Sequence, residues 1–177
     1  MTHPNLPRKR HGLALAPEPW EQELMPGDVA LGHRGHRLKT LLGSCVAVVL
    51  TDPHLTVATM CHMVHHSKPN PANLHNTAYG ICAMDRMFHM LRHVGLAPSQ
   101  CMAFVYGGGN MFPQLGQSDH VGARNVQWAL AFLSSHHIPI KGQSTGASAY
   151  RKLVWTVGST EPELVVTDVE AEANHGY

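Results

Sequence analysis

Two apolar runs dominate the first half of the chain. Residues 46–50 are uninterrupted Val, Ala and Leu, closed by Thr51-Asp52-Pro53, a turn signal. Residues 55–64, LTVATMCHMV, form a second apolar run one turn later, so the two are expected to pair as a hairpin. Residues 25–31 are expected to form an earlier strand, and the polar RGHRLK stretch leads into the element that carries Cys45. Residues 67–76, rich in Pro and Asn, read as a loop. The period then changes. Within residues 77–93, Met84, Met87, Phe88 and Leu91 fall at i, i+3, i+4 and i+7, one face of a helix, and Gly95 stands where such a helix stops. Residues 102–106 read as a strand followed by GGGN. Residues 125–135 repeat the helical spacing with Val126, Leu130 and Leu133 on one face. Short strands are expected at 138–140, 153–157 and 164–169. The pattern is an α/β mixture of hairpins and two main helices, without internal repeats and without regular βαβ alternation.

Composition narrows the class. The chain has 177 residues, 44% of them hydrophobic and 14% charged, which fits one domain with one buried core. Residues 21–170 are expected to form it. Residues 1–20, with Pro4, Pro7, Pro17, Pro19 and the basic RKRH cluster, read as a disordered N-terminal tail, and residues 171–177 as a C-terminal tail. Thirteen Lys and Arg against 12 Asp and Glu give a net charge of +1, which leaves no electrostatic footprint for nucleic acid. The 15 histidines are unusual and would make the protein cationic in mild acid. Four cysteines (Cys45, Cys61, Cys82 and Cys101) are widely spaced and lack a CxxC pair, which suits reduced thiols in a cytoplasmic protein. GLALAP is too short for a signal-peptide core, and no segment has the length of a membrane span.

Candidate chemistry gathers around TLLGSCVAVVL, residues 40–50. Gly43 and Ser44 break the apolar pattern and Cys45 follows at once. One reading is a small hydrophobe at a strand edge. The other is a nucleophile, with the turn at Gly43-Ser44 directing backbone N–H groups at an oxyanion beside the sulfur. His62 follows 17 residues later on the next strand, between Cys61 and Met63. It reads either as a buried His satisfied by a backbone carbonyl or as the general base for Cys45. Gly107 to Asn110 lack the Gly-Lys-Ser/Thr ending of a phosphate loop and read as a tight turn near the site. Arg124 and Asn125 read as helix-capping or substrate-positioning residues. His62 and His65 have HxxH spacing, but on a strand they face opposite ways, so no metal site is expected.

The segments TLLGSCVAVVLTDP, ATMCHMV, YGICAMDRMFHML, VYGGGNMF and VGARN occur in this order. Together they resemble the chemoreceptor glutamine deamidase family, CheD, over residues 25–169. The resemblance implies a layered α/β/β sandwich, similar to the catalytic domains of deamidating toxins. It implies a Cys–His–Thr site in which Cys45 matches the nucleophile, His62 the base and Thr40 the threonine that orients the His. Gly43, Ser44, Gly108, Arg124 and Asn125 are the oxyanion- and substrate-binding candidates. No cofactor is implied. The expected activity is hydrolysis of glutamine side chains on the cytoplasmic domain of methyl-accepting chemotaxis receptors, with receptor methylesterase activity on the side. A chemotaxis phosphatase is the other expected partner. Two alternatives stay open: a non-catalytic regulatory binding module, and a cysteine protease or transglutaminase-like enzyme.

Overall fold

The computed structural model describes residues 20–115 and 119–169; the tails expected at either end lie outside the described residues except for Trp20. Strands β1 (Glu21–Glu23), β2 (Val29–His33), β3 (Arg37–Leu42), β4 (Val46–Thr51) and β5 (Val57–Met63) lead into helix α1 (Gly80–His93). Strand β6 (Met102–Gly107), helix α2 (Val121–Ser135) and strands β7 (Ile140–Thr145), β8 (Ala149–Thr156) and β9 (Glu163–Asp168) complete the described chain. They form two sheets, one ordered β1-β3-β8-β9 and the other β2-β5-β4-β6-β7.

Strand β4 shows why the layers stack as they do. All six of its residues are buried, so both faces must be covered. Val46, Val48 and Leu50 join Cys61, Met63, Ala103 and Val105 in a cluster with Met84, Met87, Phe88 and Leu91 of α1 and Ala129 and Leu133 of α2. Ala47 and Val49, one residue out of phase, join Met60, Phe104 and Tyr106 against Leu38, Leu42, Leu153 and Trp155 of the smaller sheet. Alternation along one strand therefore places helices on one face of the large sheet and the small sheet on the other. This is the expected α/β/β sandwich with two main helices. Each fully buried Leu, Met or Phe in these layers contributes about 1.5–3 kcal/mol through its removal from water.

The expected β4–β5 hairpin forms, antiparallel, with Ala47 opposite His62. Its turn is organised by Asp52, whose carboxylate accepts from the N–H groups of His54, Thr56 and Val57 and from the Thr56 hydroxyl. Elsewhere the structure differs from the sequence expectations. The strand expected at 25–31 is displaced: Met25 N–H donates to the Asp28 carboxylate in a turn, and β2 begins at Val29. RGHRLK is not only a polar lead, since Arg37 opens β3. The strand expected at 138–140 starts at Ile140 and runs to Thr145, parallel to β6, so β6, α2 and β7 make one βαβ unit. Helix α2 starts at Val121, four residues before its expected start.

Candidate active site

Thr40 and His62 come from different sheets and meet in the layer between them. On β3, Leu38, Thr40 and Leu42 are the buried positions, while Arg37, Lys39 and Leu41 face outward. On β5, His62 shares its parity with Met60 and so faces the same layer. Both residues are buried, with 2% of Thr40 and 3% of His62 exposed. Thr40 Oγ1 lies 2.8 Å from His62 Nδ1.

The hydrogen bonds fix the tautomer of His62. The Thr40 hydroxyl donates its single proton to the Leu24 carbonyl at 2.7 Å. Toward His62 it therefore acts as acceptor, and the donor is Nδ1–H. The Leu24 carbonyl, 3.2 Å from the same nitrogen, is also only an acceptor and requires the same assignment. Nε2 is then the lone-pair nitrogen. It is buried and has no hydrogen-bond partner among the described residues. Burial pushes the His62 pKa down, against smaller upward effects of the Leu24 carbonyl and Asp28, so the ring is neutral at pH 7.

Cys45 sits in the loop between β3 and β4, half-buried, and packs against the inter-sheet cluster into which His62 projects. Burial pushes its thiol pKa up. The resting pair is thus thiol and neutral imidazole, not thiolate and imidazolium, and no hydrogen bond joins them in this structure. Where such a pair works together in catalysis, the bond between its members is often long or absent before substrate arrives.

The loop that carries Cys45 is held from beneath by the GGGN turn. Gly108 N–H donates to the Cys45 carbonyl at 2.7 Å and Gly109 N–H to the Gly43 carbonyl at 2.8 Å. This close approach requires glycine. Gly107 has φ +105°, and a Cβ there would stand 2.2 Å from the Cys45 carbonyl oxygen. Because its N–H is occupied by Cys45, Gly108 is not a free oxyanion donor; it supports the loop. Among the described residues, the N–H groups of Ser44 and Cys45 meet no acceptor. The Gly43–Ser44 turn thus leaves two backbone donors without a partner among those residues, one of them on Cys45 itself.

Arg124 and Asn125 do not cap α2. His120 does, its Nδ1 accepting from Ala123 N–H at 3.2 Å. The apolar pattern gave no sign of this first turn because Gly122 packs there on the glycine turn, where a Cβ would meet the Gly108 carbonyl oxygen at 2.5 Å. Asn125 is fully buried and bonds the Ser44 and Val64 carbonyls. Arg124 is exposed and pairs with Asp119 at 3.3 Å on the rim of a cavity of about 610 Å³. Ser44, Gly109, Asn110, Met111 and Phe112 line this cavity, which reaches the residue before Cys45 but has neither Cys45 nor His62 in its wall. Its apolar rim is exposed at Phe112 (62%) and Leu115 (81%).

Sequence reasoning missed the Leu24 carbonyl, His66 and His120. Leu24 enters through a backbone atom, and the side chain of His66 reaches Asn125, 59 residues away. His65 lies beyond the end of β5, so the two His of the HxxH spacing do not share a strand as expected; the His65 ring is tilted against Tyr79 at 4.9 Å. Among the described residues no group of three or more His, Cys, Asp or Glu is placed to hold a metal ion. All four cysteines are free thiols, and no described helix is long and apolar enough to cross a membrane.

Residues 63–164 match a family model described as CheD chemotactic sensory transduction. A "Probable chemoreceptor glutamine deamidase CheD 2" of Albidiferax ferrireducens is 32% identical over 140 residues, 77% of this chain and 81% of that protein. A "Probable chemoreceptor glutamine deamidase CheD 3" of Dechloromonas aromatica is 31% identical over 158 residues, 86% of this chain and 93% of that one. A "Probable chemoreceptor glutamine deamidase CheD" of Rhodospirillum rubrum is 36% identical over 123 residues, covering 70% and 69%. The crystal structure of the Bacillus licheniformis hypothetical protein YfiH superposes with a TM-score of 0.44 and 19% identity over 68% of this chain and 51% of that one, a likeness too slight to build on. With about a third of its residues identical to these proteins over most of its length, the chain belongs to the CheD family.

Proposed function

We propose that the chain is a protein-glutamine deamidase acting on the cytoplasmic domains of chemoreceptors, with Cys45 as nucleophile and His62 as general base. The observation that carries this reading is the state of His62: neutral, oriented through Nδ1 by Thr40 and the Leu24 carbonyl, with the Nε2 lone pair unused. The names of the similar proteins supply the substrate class.

The chemistry follows from those groups. His62 Nε2 takes the thiol proton as Cys45 Sγ attacks the glutamine carboxamide carbon. Negative charge on the carbonyl oxygen is met by the free N–H groups of Ser44 and Cys45. The imidazolium returns its proton to the amide nitrogen, the C–N bond breaks and ammonia leaves, giving a thioester. His62 then takes a proton from water, whose oxygen attacks the thioester carbon; the C–S bond breaks and the thiol is restored. The net change is carboxamide plus water to carboxylic acid plus ammonia, without a cofactor. A glutamyl methyl ester presents the same acyl carbon, so methylesterase activity on the same receptors belongs to this reading.

The exposed Phe112 and Leu115 beside the cavity favour a second reading, a regulatory module that docks receptors or a chemotaxis phosphatase without chemistry. Incubating a receptor cytoplasmic fragment with the wild type and with Cys45→Ala, then assaying ammonia and mapping peptide masses, separates the two. Amide-to-acid conversion by the wild type alone is the expected result. Binding by both without conversion supports the docking module. Equal conversion by both removes Cys45 from the mechanism.

A further inference from the structure

We infer that Asn125 and His66 are positioning residues, a clamp that sets the orientation of the Ser44–Cys45 peptide. The inference rests on the deamidase reading of Cys45. The side chain of Asn125 is fully buried on the second turn of α2. Its Nδ2 donates to the Ser44 carbonyl at 3.1 Å and to the Val64 carbonyl at 2.9 Å. Both partners only accept, so the amide cannot be turned over. Oδ1 is thereby presented to His66, whose Nδ1, 3.2 Å away, must be the protonated ring nitrogen.

The position of these bonds matters more than their number. Ser44 immediately precedes the nucleophile, and Val64 stands two residues after the base. One side chain therefore fastens the nucleophile's loop to the end of the base's strand. In a trans peptide the C=O and N–H point in opposite directions. Drawing the Ser44 carbonyl toward α2 turns the Cys45 N–H away from it, and that N–H is one of the two donors without an acceptor. The clamp aims the group that receives the oxyanion. His66, half-buried, holds the carboxamide in plane from its open side.

The test compares wild type, Asn125→Ala, His66→Ala and His66→Asn on a receptor cytoplasmic fragment. It reads kcat and KM for ammonia release, the iodoacetamide alkylation rate at Cys45, and thermal melting. Asn125→Ala should lower kcat about tenfold to a hundredfold with KM within about twofold of wild type. His66→Ala should lower kcat about fivefold, and His66→Asn, which puts an amide N–H where Nδ1 stood, should return it to within about twofold. Unchanged kcat in folded variants, a loss carried only by KM, or no rescue by His66→Asn would overturn the inference. Where Asn125→Ala does not fold, the two His66 variants decide. Should the wild type convert no glutamine, the deamidase reading fails, and Cys45 alkylation judges the clamp by itself: slowed in His66→Ala and recovered in His66→Asn supports it, and equal rates overturn it.

Discussion

A single proton position sets the chemistry at the residue scale. The proton of the Thr40 hydroxyl goes to Leu24, which leaves Nδ1–H of His62 as donor and Nε2 as base. Thr40→Val keeps the shape and removes both bonds. It should lower kcat about tenfold to a hundredfold, while Thr40→Ser keeps most activity; steady-state ammonia release measures both. Burial lowers the His62 pKa, so the neutral base persists below the ordinary histidine range. The acid limb of kcat/KM should therefore have its midpoint below about 6.5, with activity lost as pH falls through it; a midpoint above that value would contradict the assignment. Cys45 and His62 stood out in the sequence as candidates, one at a Gly-Ser-Cys turn and one on the next apolar strand, but the pattern left both open and only the family resemblance gave them roles. The Asn125–His66 contact was not legible, because it joins residues 59 apart that only tertiary packing brings together.

Elements with long apolar runs could be read, and short or polar ones mostly could not, although the edge strand β9 begins one residue from its expected start at 164. Strands β4, β5 and β6 and helix α1 carry long apolar signals and fall close to expectation. Strand β1 has three residues, and β7, sequence IKGQST, is an exposed edge with no buried position. β3 alternates, but its outward Arg37 and Lys39 made its start look like a loop. The glycine turn after β6 offers the sharpest test of local geometry. Gly107→Ala places a methyl against the Cys45 carbonyl and forces a left-handed φ on a side chain. A loss of about 1–3 kcal/mol is expected, together with a large loss of deamidation. Differential scanning calorimetry and ammonia assays on the same samples measure both. At the hairpin, burial raises the Asp52 pKa, but its bonds from Val57, Thr56 and His54 outweigh this and leave it lowered. The stability it gives is present above the carboxylate range and lost as pH falls through it. Asp52→Asn should lower Tm at pH 7 and narrow the gap to wild type as pH falls toward 3.

The two-sheet sandwich needed the family resemblance, since no apolar period says that a second sheet covers the first. Its buried groups predict the stability of the whole molecule. The folded state resists protonation of His62 and ionisation of Cys61 and Cys101, whose thiols burial pushes up to about 11. Below about pH 6.5 the unfolded chain binds the His62 proton more readily, and above about 8.5 it releases thiol protons more readily. Tm should peak between these limits and fall on both sides. Cys61→Ala should flatten the alkaline side in a pH series of thermal melts. Finally, the partners of His62 arrive from far apart. The β4–β5 hairpin closes across a few residues, so thiol and imidazole are brought near each other early in folding. Thr40 reaches the ring only when the second sheet is in place, and in that sheet it pairs with Leu153. Under the proposed mechanism, a chain with its second sheet undocked holds a His62 ring that Thr40 does not orient. On that reading full activity is a certificate of completed assembly, and a partly folded form should show no more than the residual activity expected of Thr40→Val.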